Sequence, residues 1–235
     1  MEIDLRGIVV VVGNYGSGKT EVAINLAVNQ KWAGFEVRIA DLDLVNPYFR
    51  TREARTVLSG LGIDVVLPPE QYLYADLPVL SPAIAGLVKE PGDVTILDVG
   101  GDDAGATVLA ALADAFKGRR VHMLQVVNPL RPMTRSIEGC LKIQTDIERA
   151  SRIRITGLIG NANLIDETSP DDIYSGYDFV TSLSADSGLP LEFITIAYEL
   201  LPAIDRQRFA CPVLPLSRQL VPPWKKAVEF GKVEI

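Results

Sequence analysis

The sequence contains few of the residues on which disulfide frameworks and cysteine- or histidine-based metal sites depend. Among its 235 residues there are two cysteines, Cys140 and Cys211, and one histidine, His122. Two cysteines so far apart support neither a disulfide framework nor a CxxC metal site. A lone histidine within an apolar stretch is typical of a structural residue. The composition therefore argues against chemistry that needs clustered thiols or imidazoles.

Long apolar runs are missing as well. No stretch approaches the roughly 18 consecutive apolar residues of a membrane-spanning helix. The N-terminal residues MEIDLRGI lack the basic start and apolar run of a secretion signal, so we expect a soluble, cytoplasmic protein. Residues 224–230 form a short basic amphipathic stretch. Its apolar area is too small for stable membrane binding.

Basic residues are in deficit. The chain carries 23 lysines and arginines against 30 aspartates and glutamates, which gives a formal net charge of −7. This is the wrong sign for a protein that follows nucleic-acid phosphates with its whole surface. We therefore expect no nucleic-acid partner.

The sequence does contain a regular alternation of two kinds of segment. Short apolar, β-branched runs occur at residues 8–12, 37–40, 94–97, 121–127, 153–159 and 193–197. Segments with helical spacing lie at residues 21–32, 52–61, 104–116 and 134–150. Such alternation predicts an α/β three-layer sandwich, with a mostly parallel, doubly wound sheet covered by helices on both faces. The length predicts one domain over residues 1–235, and the proline-rich residues 67–82 fit neither element.

One motif within this pattern carries specific chemistry. It comprises Gly13, Asn14, Tyr15, Gly16, Ser17, Gly18, Lys19 and Thr20, which match the phosphate-binding pattern GxxxxGK[ST]. The motif lies between a predicted strand and a predicted helix, as a P-loop requires. Its glycines let backbone amides point at a phosphate, while Lys19 bridges the β- and γ-phosphates and Thr20 ligates Mg²⁺. The sequence therefore predicts a P-loop NTPase fold and a magnesium–nucleotide site.

Acidic loops follow two other predicted strands. Asp41 and Asp43 are spaced to stand on one side of an extended segment. We assign Asp41 to the magnesium shell and Asp43 to orienting the attacking water. Asp98 fits a Walker B carboxylate, also near the magnesium ion, and Gly101 is placed to bring a backbone amide to the γ-phosphate. The alternative for Asp41 and Asp43 is that they are solvated loop residues or helix caps. The alternative for Gly101 is that it only allows the chain to turn.

Asparagines follow the next two predicted strands. Asn128 precedes Pro129, and Asn161 follows the run at residues 153–159. A side-chain amide can pair with both the donor and the acceptor edge of adenine, so Asn161 is our candidate base contact. The alternative is a structural asparagine in a turn. The chain has no NKxD sequence of the kind many GTPases use, so we expect ATP rather than GTP.

Taken together, these loops resemble the MinD/ParA family of P-loop ATPases, in the SIMIBI class that also holds the CooC-type ATPases and the nitrogenase iron protein. The resemblance spans most of the chain. It implies that Asp43 orients water, that Asn128 and Pro129 form the family's NP turn at the nucleotide, and that Asn161 contacts adenine. Residues 98–102 are similar to the DVxGD switch segment of the iron protein.

The resemblance also implies an assembly and a task. In that family two subunits close over two nucleotides, so we expect a nucleotide-dependent homodimer. The implied task is an ATP-driven switch acting on a protein partner, for example in maturation of a metalloenzyme or cofactor. Tyr48 and Phe49, next to the acidic loop, are equally compatible with a partner interface and with internal packing.

One departure from the family pattern affects the expected rate. The family's P-loop carries a lysine that reaches the partner's phosphates, and Asn14 stands at that position here. Loss of this cation predicts slow hydrolysis unless Arg50 or Arg52 substitutes for it. Two other functions stay open. One is an ATP-dependent ligase of the dethiobiotin synthetase or cobyrinic acid diamide synthase type, and the other is a regulatory subunit with negligible turnover.

Overall fold

The computed structural model describes residues 1–43, 51–67, 82–101, 103–221 and 224–231. The predicted irregular segment, residues 67–82, lies almost entirely outside the described residues. Tyr48, Phe49 and Arg50 also lie outside the described residues.

The described strands are eight in number and form one sheet. They are β1 (Gly7–Gly13), β2 (Val37–Leu42), β3 (Asp64–Val66), β4 (Val94–Val99), β5 (Val121–Val127), β6 (Gly157–Gly160), β7 (Leu191–Ala197) and β8 (Val213–Leu216). Their order across the sheet is β3-β2-β4-β1-β5-β6-β7-β8, and every neighbouring pair is parallel. The predicted doubly wound α/β fold is confirmed.

Six α-helices of the described residues cover this sheet. They are α1 (Lys19–Trp32), α2 (Arg55–Gly60), α3 (Pro82–Lys89), α4 (Asp103–Leu112), α5 (Ile137–Ser151) and α6 (Pro170–Ser187). None of the helices in the described part of the chain has the length and apolar character needed to cross a bilayer.

Side chains of β1 alternate between two separate cores. Val9 and Val11 pack with α1 and α2 on one face, whereas Ile8 and Val10 pack with α3 and α4 on the other. Successive side chains of a strand point to opposite faces, so a strand buried on both faces must be apolar throughout. This is why β1 is an unbroken valine and isoleucine run, and it confirms the three-layer arrangement.

Several element boundaries differ from those the sequence predicted. Strand β6 begins at Gly157, not at residue 153, because side chains bind the preceding amides: Ile153 N–H donates to Ser151 Oγ, and Ile155 N–H donates to Glu148 Oε1. Helix α6 was not predicted, although a capping box between Ser169 and Asp172 marks its start.

Candidate nucleotide-binding site

The predicted motifs converge because of the strand order. The P-loop, the two acidic loops and the two asparagine loops follow β1, β2, β4, β5 and β6, and these five strands are contiguous in the sheet. In a parallel sheet all the carboxyl ends lie along one edge, where ligands of open α/β folds bind. The five loops therefore share a single site at that edge.

The P-loop connects β1 directly to α1. Gly18 stands at the N-cap of α1 with φ of 92°, a left-handed conformation that favours glycine. A Cβ at Gly18 would lie 2.3 Å from Asn161 Nδ2, so a side chain is excluded there for a second reason. The helix N-terminus directs backbone amides and a positive dipole end towards the loop, which suits an anion such as phosphate.

Lys19 is the buried cation of this loop. Its side chain is only 8% exposed, and Nζ donates a hydrogen bond to the backbone oxygen of Asn14 at 3.1 Å. The ammonium group is thus held across the loop rather than extended into solvent. Tyr15, by contrast, is 74% exposed at the rim.

Asp41 and Asp98 form the acidic part of the site. They are register partners on the adjacent strands β2 and β4, and both are fully buried. Burial, followed by the charge of Asp41, raises the pKa of Asp98 to about 7, although the hydrogen bond from Thr51, the adjacent hydroxyl of Thr20 and the nearby Lys19 cation oppose this rise. Two buried carboxylates side by side are costly unless a cation or a proton compensates them.

Asp43 lies next to this pair. It is 8% exposed, and its backbone N–H donates to Asp41 Oδ1 at 3.1 Å. The bond fixes the turn that joins the two acids. The placement of Asp43 near the water that attacks phosphate remains a prediction.

Gly101 touches the P-loop directly. A Cβ at this position would lie 2.7 Å from Lys19 Nζ and 2.9 Å from both the oxygen of Gly13 and the nitrogen of Tyr15. Only glycine permits the loop after β4 to pack this closely on the phosphate-binding loop. Asp102, the next residue of the predicted switch segment, lies outside the described residues.

Asn161, in the loop after β6, joins the P-loop to strand β7. Its Nδ2 donates to the Ser17 oxygen at 2.6 Å, and its Oδ1 accepts from Thr195 Oγ1 at 2.6 Å. Asn161 therefore ties the P-loop to β6 and β7. An amide group has two donor hydrogens and two acceptor lone pairs, and the bonds to Ser17 and Thr195 use one of each. The adenine contact of Asn161 remains a prediction.

Asn128 plays a similar structural part in the next loop. Its Nδ2 donates to the Asn163 oxygen at 2.8 Å, and its Oδ1 accepts from Leu130 N–H at 3.1 Å. These bonds shape the NP turn and join it to the loop after β6. Its contact with nucleotide remains a prediction.

Sequence reasoning missed the residues that attach the chain beyond β8 to this site. Glu21, next to Thr20, accepts hydrogen bonds from the amides of Gln219 at 2.7 Å and Leu220 at 3.0 Å. Asn25 accepts from Ser217 N–H at 2.8 Å. The first turns of α1 therefore hold the segment after β8, and no local sequence signal predicts such a contact.

A second missed group lies on the loop after β6. Asp166 forms ion pairs with Arg218 and Lys225, which lie beyond β8. The loop that contains the predicted base contact is thereby joined to the segment that Glu21 holds.

The acidic residues fit a magnesium ion that also binds phosphate oxygens. In the described part of the chain, no three or more His, Cys, Asp or Glu side chains gather into a metal site. Magnesium, however, is usually held by one or two carboxylates together with water and substrate phosphates. Asp98 Oδ1 is buried without a hydrogen-bond partner among the described residues, and the hydroxyl of Thr20 lies beside Asp98. This donor set is suitable for Mg²⁺.

Comparisons with known proteins identify the fold. No protein-family model and no curated protein matches the sequence. Among solved structures, FtsY from Mycoplasma mycoides superposes with a TM-score of 0.56 at 16% identity, over 83% of this chain and 63% of that chain. The chain has the P-loop NTPase fold.

Two further solved structures carry the same fold. The signal recognition particle 54 kDa protein from Aeropyrum pernix, in complex with GDP, superposes with a TM-score of 0.54 at 19% identity, over 82% of this chain and 42% of that chain. A nucleotide-binding protein from Archaeoglobus fulgidus, in complex with ADP, gives a TM-score of 0.51 at 21% identity, with 83% of both chains covered. This chain thus spans less than two thirds of the length of the first two proteins.

Proposed function

We propose that this protein is a magnesium-dependent ATPase of the MinD/ParA type that acts as a nucleotide-controlled switch on a protein partner. The observation that carries the proposal is the convergence at one sheet edge of a P-loop with a buried lysine and a pair of buried aspartates. A phosphate with a divalent cation suits this arrangement, because phosphate oxygens are attracted to the Lys19 ammonium group and a metal ion balances the negative charge of the buried carboxylates of Asp41 and Asp98.

Each group has a distinct part in the proposed reaction. Lys19 and the amides at the start of α1 bind the β- and γ-phosphates. A magnesium ion held by Thr20, Asp41 and Asp98 would neutralise charge on those phosphates. Asp43 orients the attacking water. The Gly101 amide contacts the γ-phosphate, and loss of the γ-phosphate on hydrolysis therefore releases the loop after β4.

The loop after β6 favours adenine over guanine. Guanine presents two adjacent N–H donors, which a free carboxylate accepts well, whereas the loop offers the amide of Asn161. The acid nearest to it in sequence, Asp166, is already paired with Arg218 and Lys225. Support also comes from the Archaeoglobus fulgidus protein, which has the same fold and is in complex with ADP. The Aeropyrum pernix protein with GDP makes GTP the competing nucleotide to test.

The P-loop itself predicts slow turnover by a single subunit. Asn14 offers an uncharged amide where the family lysine supplies a cation, and a neutral hydrogen bond is about half as strong as a charge-assisted one. Arg50 lies outside the described residues, and the side chain of Arg52 is not described. We propose that ATP promotes a loose homodimer, in which the partner protein or a second subunit completes the site.

The test compares wild-type protein with Lys19→Ala and with Lys31→Ala, a control at the other end of the same helix. We expect wild type to bind and hydrolyse MgATP in preference to MgGTP. Lys19→Ala should lower affinity or turnover at least about tenfold, because it removes a charge-assisted phosphate contact, whereas Lys31→Ala should match wild type. Calorimetry gives the affinities, and phosphate release gives the turnover.

Two outcomes would contradict the proposal. Unchanged MgATP binding and turnover in Lys19→Ala would reject the P-loop assignment, and a preference for GTP would reject the base assignment. The same samples, sedimented with and without a non-hydrolysable ATP analogue, test the assembly. A dimer of equal strength in both conditions would reject nucleotide-coupled dimerisation.

A further inference from the structure

Thr51 is buried against the acidic pair, and nothing in its local sequence distinguishes it. It begins a short 3-10 helix, Thr51–Ala54, and its side chain is fully buried. Its Oγ1 donates a hydrogen bond to Asp98 Oδ2 at 2.8 Å. The hydroxyl therefore acts on the carboxylate that we assign to the magnesium shell.

The position of Thr51 is fixed by the core. Three residues after it, Ala54 is buried in the same apolar cluster as Val22 and Leu26 of α1, and Leu58 of α2 joins that cluster. Thr51 thus begins a segment that is anchored to the helix behind the P-loop. A hydroxyl held on such a support orients its acceptor more firmly than one on an exposed loop.

The hydrogen bond gives the two oxygens of Asp98 different environments. Oδ2 is engaged by Thr51, whereas Oδ1 is buried and has no hydrogen-bond partner among the described residues. Oδ1 is therefore the oxygen available to a cation or to a water in its shell. A carboxylate with one oxygen bound cannot rotate freely, so Thr51 also fixes the direction in which Oδ1 points.

We propose that Thr51 is a positioning residue for the magnesium site: by binding Oδ2 it keeps Asp98 oriented, with Oδ1 presented to the metal that accompanies the nucleotide. This inference rests on the proposed function, because it concerns the metal of that same site. Thr51 itself does not touch the reacting atoms. The alternative is a bond that stabilises the fold alone.

The experiment measures how Mg²⁺ changes the affinity for ATP carrying a fluorescent ribose label. The variants are Thr51→Val, which removes the hydroxyl, and Thr51→Ser, which retains it. Thr95→Val is the matched control, since Thr95 is a fully buried threonine on β4 whose Oγ1 accepts a hydrogen bond from Gly92 N–H at 3.2 Å. Each variant is titrated with labelled ATP in EDTA and then with increasing Mg²⁺.

We expect Thr51→Val to bind labelled ATP in EDTA with the wild-type affinity. It should, however, need about tenfold more Mg²⁺ to reach half of the full change in ATP affinity. A hydrogen bond to a charged group is worth about that factor or more in an equilibrium constant. Thr51→Ser and Thr95→Val should respond to Mg²⁺ at the wild-type concentration. If Thr51→Val does not fold, Thr51→Ala replaces it, since its smaller side chain avoids a steric conflict.

Other results distinguish a failure of the role of Thr51 from a failure of the proposed function. A wild-type Mg²⁺ response in Thr51→Val would overturn the role of Thr51 while leaving the proposed function intact. Equal losses with and without Mg²⁺ would assign the bond to the fold alone and also overturn it. A wild-type protein whose binding of labelled ATP is absent or indifferent to Mg²⁺ would reject the proposed function, and this inference with it.

Discussion

The Asn161 side chain provides a test of how the P-loop is supported. Asn161→Ala removes the hydrogen bonds to the Ser17 oxygen and from the Thr195 hydroxyl, both 2.6 Å long and both buried. Thr195 has a second acceptor, the Gly160 oxygen at 3.4 Å, so its hydroxyl is partly compensated. The Ser17 oxygen has no second donor among the described residues. The cost of the substitution should therefore come mainly from that carbonyl group.

The magnitude follows from these two losses. An unsatisfied buried acceptor costs about 1–3 kcal/mol, and the second hydrogen bond adds about 1 kcal/mol. We expect Asn161→Ala to lower the free energy of unfolding by roughly 2–4 kcal/mol, which for a domain of this size lowers Tm by roughly 5–15 °C. Urea unfolding and thermal scans of the nucleotide-free protein measure both quantities.

Asn163→Ala is the control for this prediction. Asn163 lies in the same loop but is partly exposed, and its Oδ1 accepts one hydrogen bond from Ile165 N–H. We expect a loss of about 1 kcal/mol or less. A residue that only contacts the base would leave the nucleotide-free protein unchanged. Equal unfolding free energies for Asn161→Ala and Asn163→Ala would thus refute the role of Asn161 as a support of the P-loop.

Two further predictions concern the acidic residues. Asp43→Asn should lower ATP turnover far more than ATP affinity, because its proposed role is with the attacking water; equal losses in single-turnover rate and in Kd would count against it. The raised pKa of Asp98, about 7 against an ordinary 3.8, means that the folded protein binds more protons than the unfolded chain between those values. The contribution of Asp98 to stability should therefore be fully present below about pH 4 and fall as the pH rises to about 7. Urea unfolding of the metal-free protein at a series of pH values measures this contribution. The control is Asp98→Asn, in which the contribution should be absent. Parallel profiles of unfolding free energy against pH for the two proteins would contradict a raised pKa of Asp98.

The local sequence was sufficient to predict the central part of the fold. The valine run of β1, the glycines of the P-loop and the helix that follows are contiguous, and each is specified by its own residues. The edge strands β3 and β8 were not predicted, because they are short and β8 contains Pro215, which an edge strand tolerates. Helix α6 was overlooked despite a clear start signal at Ser169.

The sequence by itself determined which chemical groups the protein carries and that parallel strands would bring their loops to one edge. Only the tertiary structure decided how those groups are used. Asn161 is bonded to Ser17, Thr51 to Asp98, and Asn25 to Ser217, a residue 192 positions away. Such pairs leave no periodic or local signal, because their geometry depends on strand order and on the packing of helices from distant parts of the chain.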